Sequence, residues 1–473
     1  MKYKRVLSAA LLLMFLFTMS VFSASAAEND QTNVSVQNGG CYTLDATDAY
    51  LGAGKIADNM GAAILFEPKS ETMMYSLNPD AKMYPSSLVK ILTALIAVEK
   101  GNLEEVVTVE QAILDSVPYG AASADLVDGE QMLLSDLLYC MMVGSANDAA
   151  AVIAHHIAGN QVSFVETMNS YAKELGCTAT QFKNVHGLHH EEQFTTARDM
   201  AKILNAAIKN EAFMTYFSAI KHTVPATNKT PEPRDLSSQN FLMNTEKMEL
   251  YFDERVLGGR TGITEAGLRC LATLAQKDGM QLISVVMDSK STEDEKGNTS
   301  IYGSFNETKQ LLDAGFNGYT VVQTLYEGQV LKQLQVKNGT NDVMIGSAKM
   351  AYSVLPAGAK VSDLSYRYVD EAEKPEAPIT IGQQMSYVQV WYGSLCVGQA
   401  ELVAMNGVPA QETEETPVEQ KPIPKKNDSA AVIILLIVVG ALVLVAVIRY
   451  GIPLYRRLRR KRLQKKRENR KKE

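Results

Sequence analysis

A serine and a lysine three residues apart, Ser87 and Lys90, open an apolar segment with the period of a helix. Its apolar residues recur at spacings of three and four: Leu88, Ile91, Leu92, Leu95 and Val98. Residues three apart share one face of a helix, so the lysine can reach the serine. A serine hydroxyl attacks poorly until a base takes its proton, and a lysine among apolar neighbours loses proton affinity. The pair therefore predicts nucleophilic catalysis, with Ser87 as nucleophile and Lys90 as base.

A second polar group, Ser145 and Asn147, lies between two helical patterns in the segment 144–148, Gly-Ser-Ala-Asn-Asp. The hydroxyl of Ser145 is suited to relaying a proton, and the amide of Asn147 to holding a peptide group of a substrate. The same residues are also typical of the N-terminal cap of a helix. The two roles are compatible, so both are expected.

A third element, Arg260-Thr261-Gly262, follows two glycines within a strand pattern. Alternation along a strand places Arg260 and Gly262 on one face and Thr261 on the other. A cation and a hydroxyl at this position can bind a carboxylate, and the glycines allow a substrate backbone to approach as an added strand. The element therefore predicts a substrate-binding edge.

Order along the chain separates these elements from chance copies of the same patterns. Serine–lysine pairs of the same spacing also occur at Ser170 with Lys173 and at Ser218 with Lys221. Only the set that begins at Ser87 has all three elements in order: the serine–lysine pair, then Ser145 with Asn147, then the single Arg-Thr-Gly segment. The gaps between these elements are comparable. Ser170 also falls in the middle of a helical pattern, on a mixed face. The sequence therefore favours Ser87 as the nucleophile.

The flanking patterns predict the elements that position these residues. Two short strands between residues 61 and 76 are joined by a turn at 67–70. Helical patterns follow at 87–101, 133–143, 147–158, 162–175 and 197–207, and strand patterns at 257–263, 270–275 and 282–287. Strands at both ends with helices between them indicate an α+β domain with an antiparallel sheet, which we assign to residues 45–290.

Residues 318–406 change to short β-type runs separated by turn residues, which predicts a small all-β domain. Strands are expected at 320–326, 330–337, 342–345, 349–354 and 386–391. A linker rich in Pro, Glu and Lys at 407–429 then leads to the apolar residues 430–448, which are long enough to cross a bilayer as a helix.

The two ends of the chain predict an exported protein anchored in the cell membrane. Residues 1–26 show the basic, apolar and small-residue order of a signal peptide. Residues 449–473 contain 13 Lys or Arg and two Glu, a net charge of +11, and basic residues beside a span stay in the cytoplasm. The folded region is therefore expected outside and the tail inside, near anionic lipid headgroups. The region between the ends carries about −21, which argues against a nucleic-acid partner.

Cysteine usage predicts neither a thiolate metal site nor complete pairing. The five cysteines are widely scattered: Cys41, Cys140, Cys177, Cys270 and Cys396. The odd number leaves at least one free. Two of them, Cys140 and Cys270, lie in apolar runs and are expected to be buried.

Taken as a set, the three elements resemble the active site of the penicillin-recognising serine enzymes. Other segments are similar to low-molecular-mass penicillin-binding proteins of the D-alanyl-D-alanine carboxypeptidase type, peptidase family S11: Phe182-x-Asn184-x-His186-Gly187-Leu188, residues 195–199 and residues 279–286. The likeness covers about residues 45–289, and the β-rich region resembles the second domain that these enzymes often carry. It implies a β-lactamase-like transpeptidase fold.

The resemblance implies a reaction on a peptidoglycan stem peptide that ends in D-Ala-D-Ala. Ser87 would attack the carbonyl between the two alanines, Lys90 would take its proton, and Ser145 would help to pass it to the departing D-alanine. Asn147 would align the substrate. Water would then hydrolyse the acyl-enzyme, and β-lactams would acylate the same serine. Neither a cofactor nor a metal is implied.

The resemblance also implies how the substrate would be held. Arg260 and Thr261 would bind its carboxylate, and the backbone N–H groups of Ser87 and Ile263 would form the oxyanion hole. Arg260 departs from the family, which mostly has lysine there. A guanidinium keeps the charge but is planar and does not release its proton. We therefore expect an active enzyme with altered efficiency.

Three other interpretations compete with this one. A serine β-lactamase shares the motifs, although its deacylating glutamate would be represented here only by Glu166 in a helical pattern. A zinc peptidase could use His186, His189 and His190, but these lack an acidic partner at metal-ligand spacing. A catalytically silent wall-binding protein is the third, with Arg260 as its only indication.

Overall fold

The computed structural model describes residues 41–46, 49–51, 56, 59–266, 268–293, 299–369, 374–411, 438–439 and 449. The predicted signal peptide lies outside the described residues, as do nearly all of the predicted span and basic tail. The chain divides into two compact units, Met1–Gln411 and Glu412–Glu473. None of the helices within the described residues combines the length and the apolar character that crossing a membrane requires.

The N-terminal part of the first unit contains eleven described strands and nine described α-helices. The strands are β1 (Ala62–Glu67), β2 (Thr72–Leu77), β3 (Val106–Thr108), β4 (Gln131–Leu133), β5 (Lys221–Val224), β6 (Arg234–Ser237), β7 (Val256–Ile263), β8 (Arg269–Lys277), β9 (Met280–Ser289), β10 (Thr292–Glu293) and β11 (Thr299–Ile301). The helices are α1 (Val89–Lys100), α2 (Gln111–Leu114), α3 (Leu134–Met142), α4 (Asn147–Ala158), α5 (Gln161–Glu174), α6 (Ala197–Ala207), α7 (Glu211–Phe217), α8 (Thr245–Met248) and α9 (Gly303–Gly318).

Five of these strands form the central antiparallel sheet, in the order β2-β1-β9-β8-β7. The first two strands of this domain thus belong to one sheet with β7, β8 and β9. Helices α1 to α8 lie in the part of the chain that connects β2 to β7. The predicted α+β domain with an antiparallel sheet is confirmed, and the helices expected at 147–158 and 197–207 occur at those residues. Within the described residues β7 pairs only with β8, so its other edge is open.

Both faces of the sheet are buried, because helices cover each of them. Residues on one face, such as Ile64 and Val285, belong to the same core as α1 and α4. Their neighbours along the strands, such as Leu65 and Val286, pack with α9 on the other face. Alternate residues of one strand thus enter two cores. Helix α9 is not among the predicted helices.

The C-terminal part of the first unit is the β-rich domain expected from the sequence. Its strands are β12 (Tyr319–Leu325), β13 (Val330–Leu334), β14 (Val343–Ser347), β15 (Ala351–Pro356), β16 (Leu364–Val369), β17 (Gln384–Tyr392) and β18 (Leu395–Ala404). They form a sheet in the order β13-β14-β18-β17-β16 and a pair β12-β15. Strands β16 and β18 were not anticipated.

Two connections join this β-rich domain to the α9 side of the central sheet. Val354, Leu355 and Val390 belong to the same apolar core as Phe305 and Leu312 of α9. A disulfide links Cys41 to Cys396, 355 residues apart in sequence. The remaining cysteines, Cys140, Cys177 and Cys270, are free and buried, which confirms the expectation for Cys140 and Cys270.

Candidate active site

The nucleophile candidate lies in a single 3₁₀ turn, Ser86–Leu88, which runs directly into α1. Lys90 stands one turn further on, with its Nζ 3.1 Å from Ser87 Oγ. The lysine side chain has no exposed surface, whereas Ser87 is partly exposed. The spacing of three therefore places the hydroxyl at the edge of the cleft and the amine beneath it.

The two hydrogen bonds that Lys90 makes besides its contact with Ser87 can be made by a neutral amine. Its Nζ donates to Asn147 Oδ1 at 2.7 Å and to the backbone oxygen of His186 at 2.6 Å. Asn147 Nδ2 donates to Ala122 O at 3.0 Å, which fixes the oxygen of this amide toward Lys90. Both partners of the lysine can only accept, and a neutral amine has two N–H donors. Its lone pair is then left for the hydroxyl hydrogen of Ser87.

Electrostatics favour the same protonation state. Burial lowers the pKa of Lys90 well below its usual range, and the neighbouring Arg260 cation lowers it further, whereas Asp148 opposes both effects. Burial lowers the pKa of His186 to about 3, so this imidazole is neutral. A lysine whose pKa is lowered in this way loses its proton more readily and can then accept the serine proton.

Arg260 crosses from the sheet to the helices and contacts two of the predicted site residues. The guanidinium donates from Nε to Ser87 O at 3.2 Å, from Nη1 to Met142 O at 2.9 Å and from Nη2 to Ser145 Oγ at 2.5 Å. Burial lowers its pKa to about 10, which leaves it charged at neutral pH. Since Ser145 Oγ accepts from Arg260, its own hydrogen is free to point elsewhere.

Ser145 is held in an uncommon backbone conformation. Its φ is 65°, in the left-handed region that few residues other than glycine adopt. Such conformations persist where the surroundings enforce them, and they concentrate at functional sites. Here the turn between α3 and α4 is fixed on both sides, because Ala146 N donates to Cys140 O and Asn147 N donates to Ala122 O.

The open edge of β7 lies directly against the nucleophile turn. Ser86 Oγ donates to Ile263 O at 2.6 Å. A Cβ on Gly262 would come within 3.1 Å of Ser87 N, so a side chain here would crowd the turn. Gly187 approaches from the other side: its φ is +89°, and a Cβ there would lie 1.9 Å from Ser86 O. Only glycine fits at that position.

The nucleophile turn, β7 and the loop that contains Gly187 line an open cleft of about 870 Å³. It is lined by seven of the eight predicted site residues: Ser87, Ser145, Asn147, Arg260, Thr261, Gly262 and Ile263. The eighth, Lys90, lies beneath Ser87. The alternative serines lie elsewhere, with Ser170 exposed on α5 and Ser218 Oγ donating to Met214 O at 2.7 Å.

Several residues of this site were not anticipated from the sequence. The backbone oxygens of His186 and Met142 hold Lys90 and Arg260, and Ser86 joins the turn to β7. The segment 182–188 carried a signal, because it resembles the family. No local pattern indicates that a carbonyl oxygen will meet a lysine 96 residues away.

The histidines do not gather around a shared centre. His189 lies at the rim, with Nε2 4.0 Å from Glu265 Oε2 and its ring against Tyr84, while His186 is buried beneath the turn. No group of three or more metal-ligating side chains occurs within the part of the chain that the structure describes. Glu166 is exposed on α5, outside the cleft.

The site combines an antiparallel sheet that has an open edge strand with a serine–lysine pair at that edge and a second serine opposite. This combination defines a serine acyl-transfer enzyme. Comparison with known proteins agrees. Residues 53–291 match the family described as D-alanyl-D-alanine carboxypeptidase, Peptidase S11. Residues 319–410 match the domain described as penicillin-binding protein 5, C-terminal domain. The chain belongs to the S11 D-alanyl-D-alanine carboxypeptidase family, as the resemblance of its motifs predicted.

Individual relatives cover most of the chain. D-alanyl-D-alanine carboxypeptidase DacA of Haemophilus influenzae is 29% identical over 380 residues, 78% of this chain and 90% of that protein. DacF of Bacillus subtilis is 28% identical over 338 residues, 70% of this chain and 81% of the relative. The crystal structure of penicillin binding protein 5 from Haemophilus influenzae superposes with a TM-score of 0.65 at 28% identity, covering 76% of this chain and 100% of the other.

The influence of Arg260 on Lys90 is testable through the pH dependence of acylation. The rate of acylation by a penicillin should rise with pH through the lowered pKa of Lys90 and level off above it. Removing the cation with Arg260→Gln makes the protonated lysine easier to form, so the pKa of Lys90 rises. The midpoint of the rate profile should therefore move to higher pH.

The conservative variant Arg260→Lys provides the control, because it keeps the positive charge and should leave the midpoint near that of the wild type. Stopped-flow acylation measured across the pH range gives both midpoints. An unchanged midpoint in Arg260→Gln would show that this charge does not set the basicity of Lys90.

Proposed function

We propose that this protein is a serine-type D-alanyl-D-alanine carboxypeptidase that removes the terminal D-alanine from peptidoglycan stem pentapeptides. The observation that carries the proposal is the buried Lys90 amine. Its Nζ donates to the oxygens of Asn147 and His186 and lies 3.1 Å from Ser87 Oγ, within reach of the hydroxyl proton. A preformed base beside a serine at an open sheet edge is what acyl transfer from a peptide requires.

In the first half of the reaction Lys90 takes the hydroxyl proton as Ser87 Oγ bonds to the carbonyl carbon between the two alanines. The C–N bond then breaks. The proton passes to the departing amine with the help of Ser145, whose hydroxyl accepts from Arg260 and has its own hydrogen to give. Arg260 stays charged throughout, so its part is to hold Ser145 and not to carry the proton. Water hydrolyses the ester and releases the shortened peptide.

The open edge of β7 is proposed to bind the substrate as an added antiparallel strand. In that direction the terminal carboxylate lies beside Thr261 and the preceding residues lie beside Ile263 and beyond. The backbone N–H groups of Ser87 and Ile263 would then face the carbonyl oxygen as the oxyanion hole. The close approach of Gly262 to the turn supports this arrangement, because a Cβ added there would lie 3.1 Å from Ser87 N.

The contacts of Asn147 support a role in orienting the base, Lys90. Its amide is hydrogen bonded to Lys90 on one side and to Ala122 O on the other, and the side chain is almost fully buried. It therefore orients the lysine, and its second N–H remains for a substrate peptide group. β-Lactams resemble the acyl donor and are proposed to acylate Ser87 as inhibitors.

The segments outside the described residues are proposed to direct the protein to the bacterial membrane. The signal pattern at 1–26, the apolar residues 430–448 and the tail of net charge +11 support a single-pass protein with its catalytic domain outside the cytoplasm. Linker residues 407–429 would connect the β-rich domain, assigned to 318–406, to this span.

Membrane attachment predicts different behaviour for the full chain and for a chain ended after Gln411. The full protein should stay with membranes after carbonate extraction, and external protease should remove its catalytic domain from spheroplasts. The shortened protein should appear in the soluble extracytoplasmic fraction. Full-length protein in the soluble fraction would contradict the proposed span.

The catalytic proposal predicts release of D-alanine from a pentapeptide that ends in D-Ala-D-Ala. Ser87→Ala should abolish both this release and labelling by a fluorescent penicillin, because it removes the hydroxyl that contacts Lys90. Removal of the base by Lys90→Met should slow both by roughly 10²- to 10⁴-fold.

Ser170→Ala is the matched control, since it alters the other serine–lysine pair and should leave both activities unchanged. A catalytically silent protein would release no D-alanine even as the wild type. Rapid hydrolysis of penicillin by the wild type would instead favour a β-lactamase.

A further inference from the structure

Arg260 is directed away from the surface on which a substrate would lie. Each of its three guanidinium nitrogens donates to an acceptor within the protein, and the side chain is 4% exposed. On β7 it belongs to the face turned toward the helices, together with Gly262. Its described hydrogen bonds go to Ser87, Met142 and Ser145, which makes a second cation a candidate for pairing with a substrate carboxylate.

The opposite face of β7 carries Thr261 and Ile263, the residues beside which the end of an added strand would lie. The next strand provides a cation on this same face. Ile263 is paired in register with Arg269 of β8, and Thr261 with Leu271. Directly paired residues in an antiparallel sheet point to the same side. Arg269 therefore projects from the Thr261 face, and it lines the same cleft as Ser87.

The surroundings of Arg269 hold its guanidinium in place without neutralising it. Its Nε donates to Ser291 Oγ at 2.8 Å, and its Cζ lies 4.3 Å from the centroid of the Tyr302 ring. Within the described residues no carboxylate is paired with it. Stacking on an aromatic ring leaves the Nη edge of a guanidinium available, which is the edge that binds carboxylates.

We propose that Arg269, together with the Thr261 hydroxyl, binds the terminal carboxylate of the substrate, and that Arg260 is a positioning residue for Ser145 and Lys90. This inference rests on the proposed carboxypeptidase function. The sequence predicted carboxylate binding by Arg260 with Thr261, and the inference transfers the arginine's part of that task to Arg269. A fixed, half-buried cation that has no carboxylate partner among the described residues gains from an anionic ligand, because burial has already removed part of its hydration.

The test compares two peptides that differ only at the terminus, one ending in D-Ala-D-Ala carboxylate and the other in D-Ala-D-Ala amide. The wild type should prefer the carboxylate in kcat/KM. In Arg269→Gln the kcat/KM for the carboxylate peptide should fall by on the order of ten- to a hundredfold, while that for the amide peptide changes little. Arg269→Lys should keep part of the preference, since it retains the charge.

Arg367→Gln is the matched control, because Arg367 also stacks on an aromatic ring, 3.9 Å from the centroid of Trp391, but lies in the β-rich domain. It should leave both peptides unaffected. An equal loss on both peptides in Arg269→Gln would show a structural role only, and an unchanged preference would assign the carboxylate to another group. Either result overturns the inference. Failure of the wild type to release any D-alanine would instead contradict the proposed function.

Discussion

A lysine amine without exposed surface is the constraint around which this site is arranged. Burial deprives a charged ammonium at such a position of its hydration and so disfavours it. The cation Arg260 lies nearby and disfavours it further. The amine donates to two carbonyl oxygens, from Asn147 and His186. Its remaining neighbour is the Ser87 hydroxyl, so the neutral form that burial favours is also the catalytically useful one.

The fold supplies these partners from distant parts of the chain. Helix α1 carries the lysine and α4 carries Asn147, while the loop that contains His186 passes close enough to require glycine at position 187. Strand β7 closes the group through Arg260 and through the contact of Gly262 with the nucleophile turn. Because β7 is held in the same sheet as β1, which begins the domain, the first and last parts of the domain fix the two sides of one cleft.

Local patterns allowed much of this arrangement to be predicted. The spacing of Ser87 and Lys90 is a property of one helical turn, and the alternation at Arg260 to Gly262 is a property of one strand, so both could be expected from the sequence. Contacts that depend on tertiary structure could not. The carbonyl oxygen of His186 and the position of Arg269 beside Thr261 follow only from the folded chain. The sequence did not predict helix α9, because the three glycines within it lower its helix propensity.

The protonation state of Lys90 is the central claim, and ¹⁵N NMR of lysine Nζ measures it directly. In protein labelled with ¹⁵Nζ-lysine, the signal missing from Lys90→Met identifies this residue. We predict that it has the chemical shift of a neutral amine at pH 7 and titrates well below the other lysines. A shift of a charged ammonium at pH 7, titrating with the exposed lysines, would contradict the account, because Lys90 could then not take the proton of Ser87.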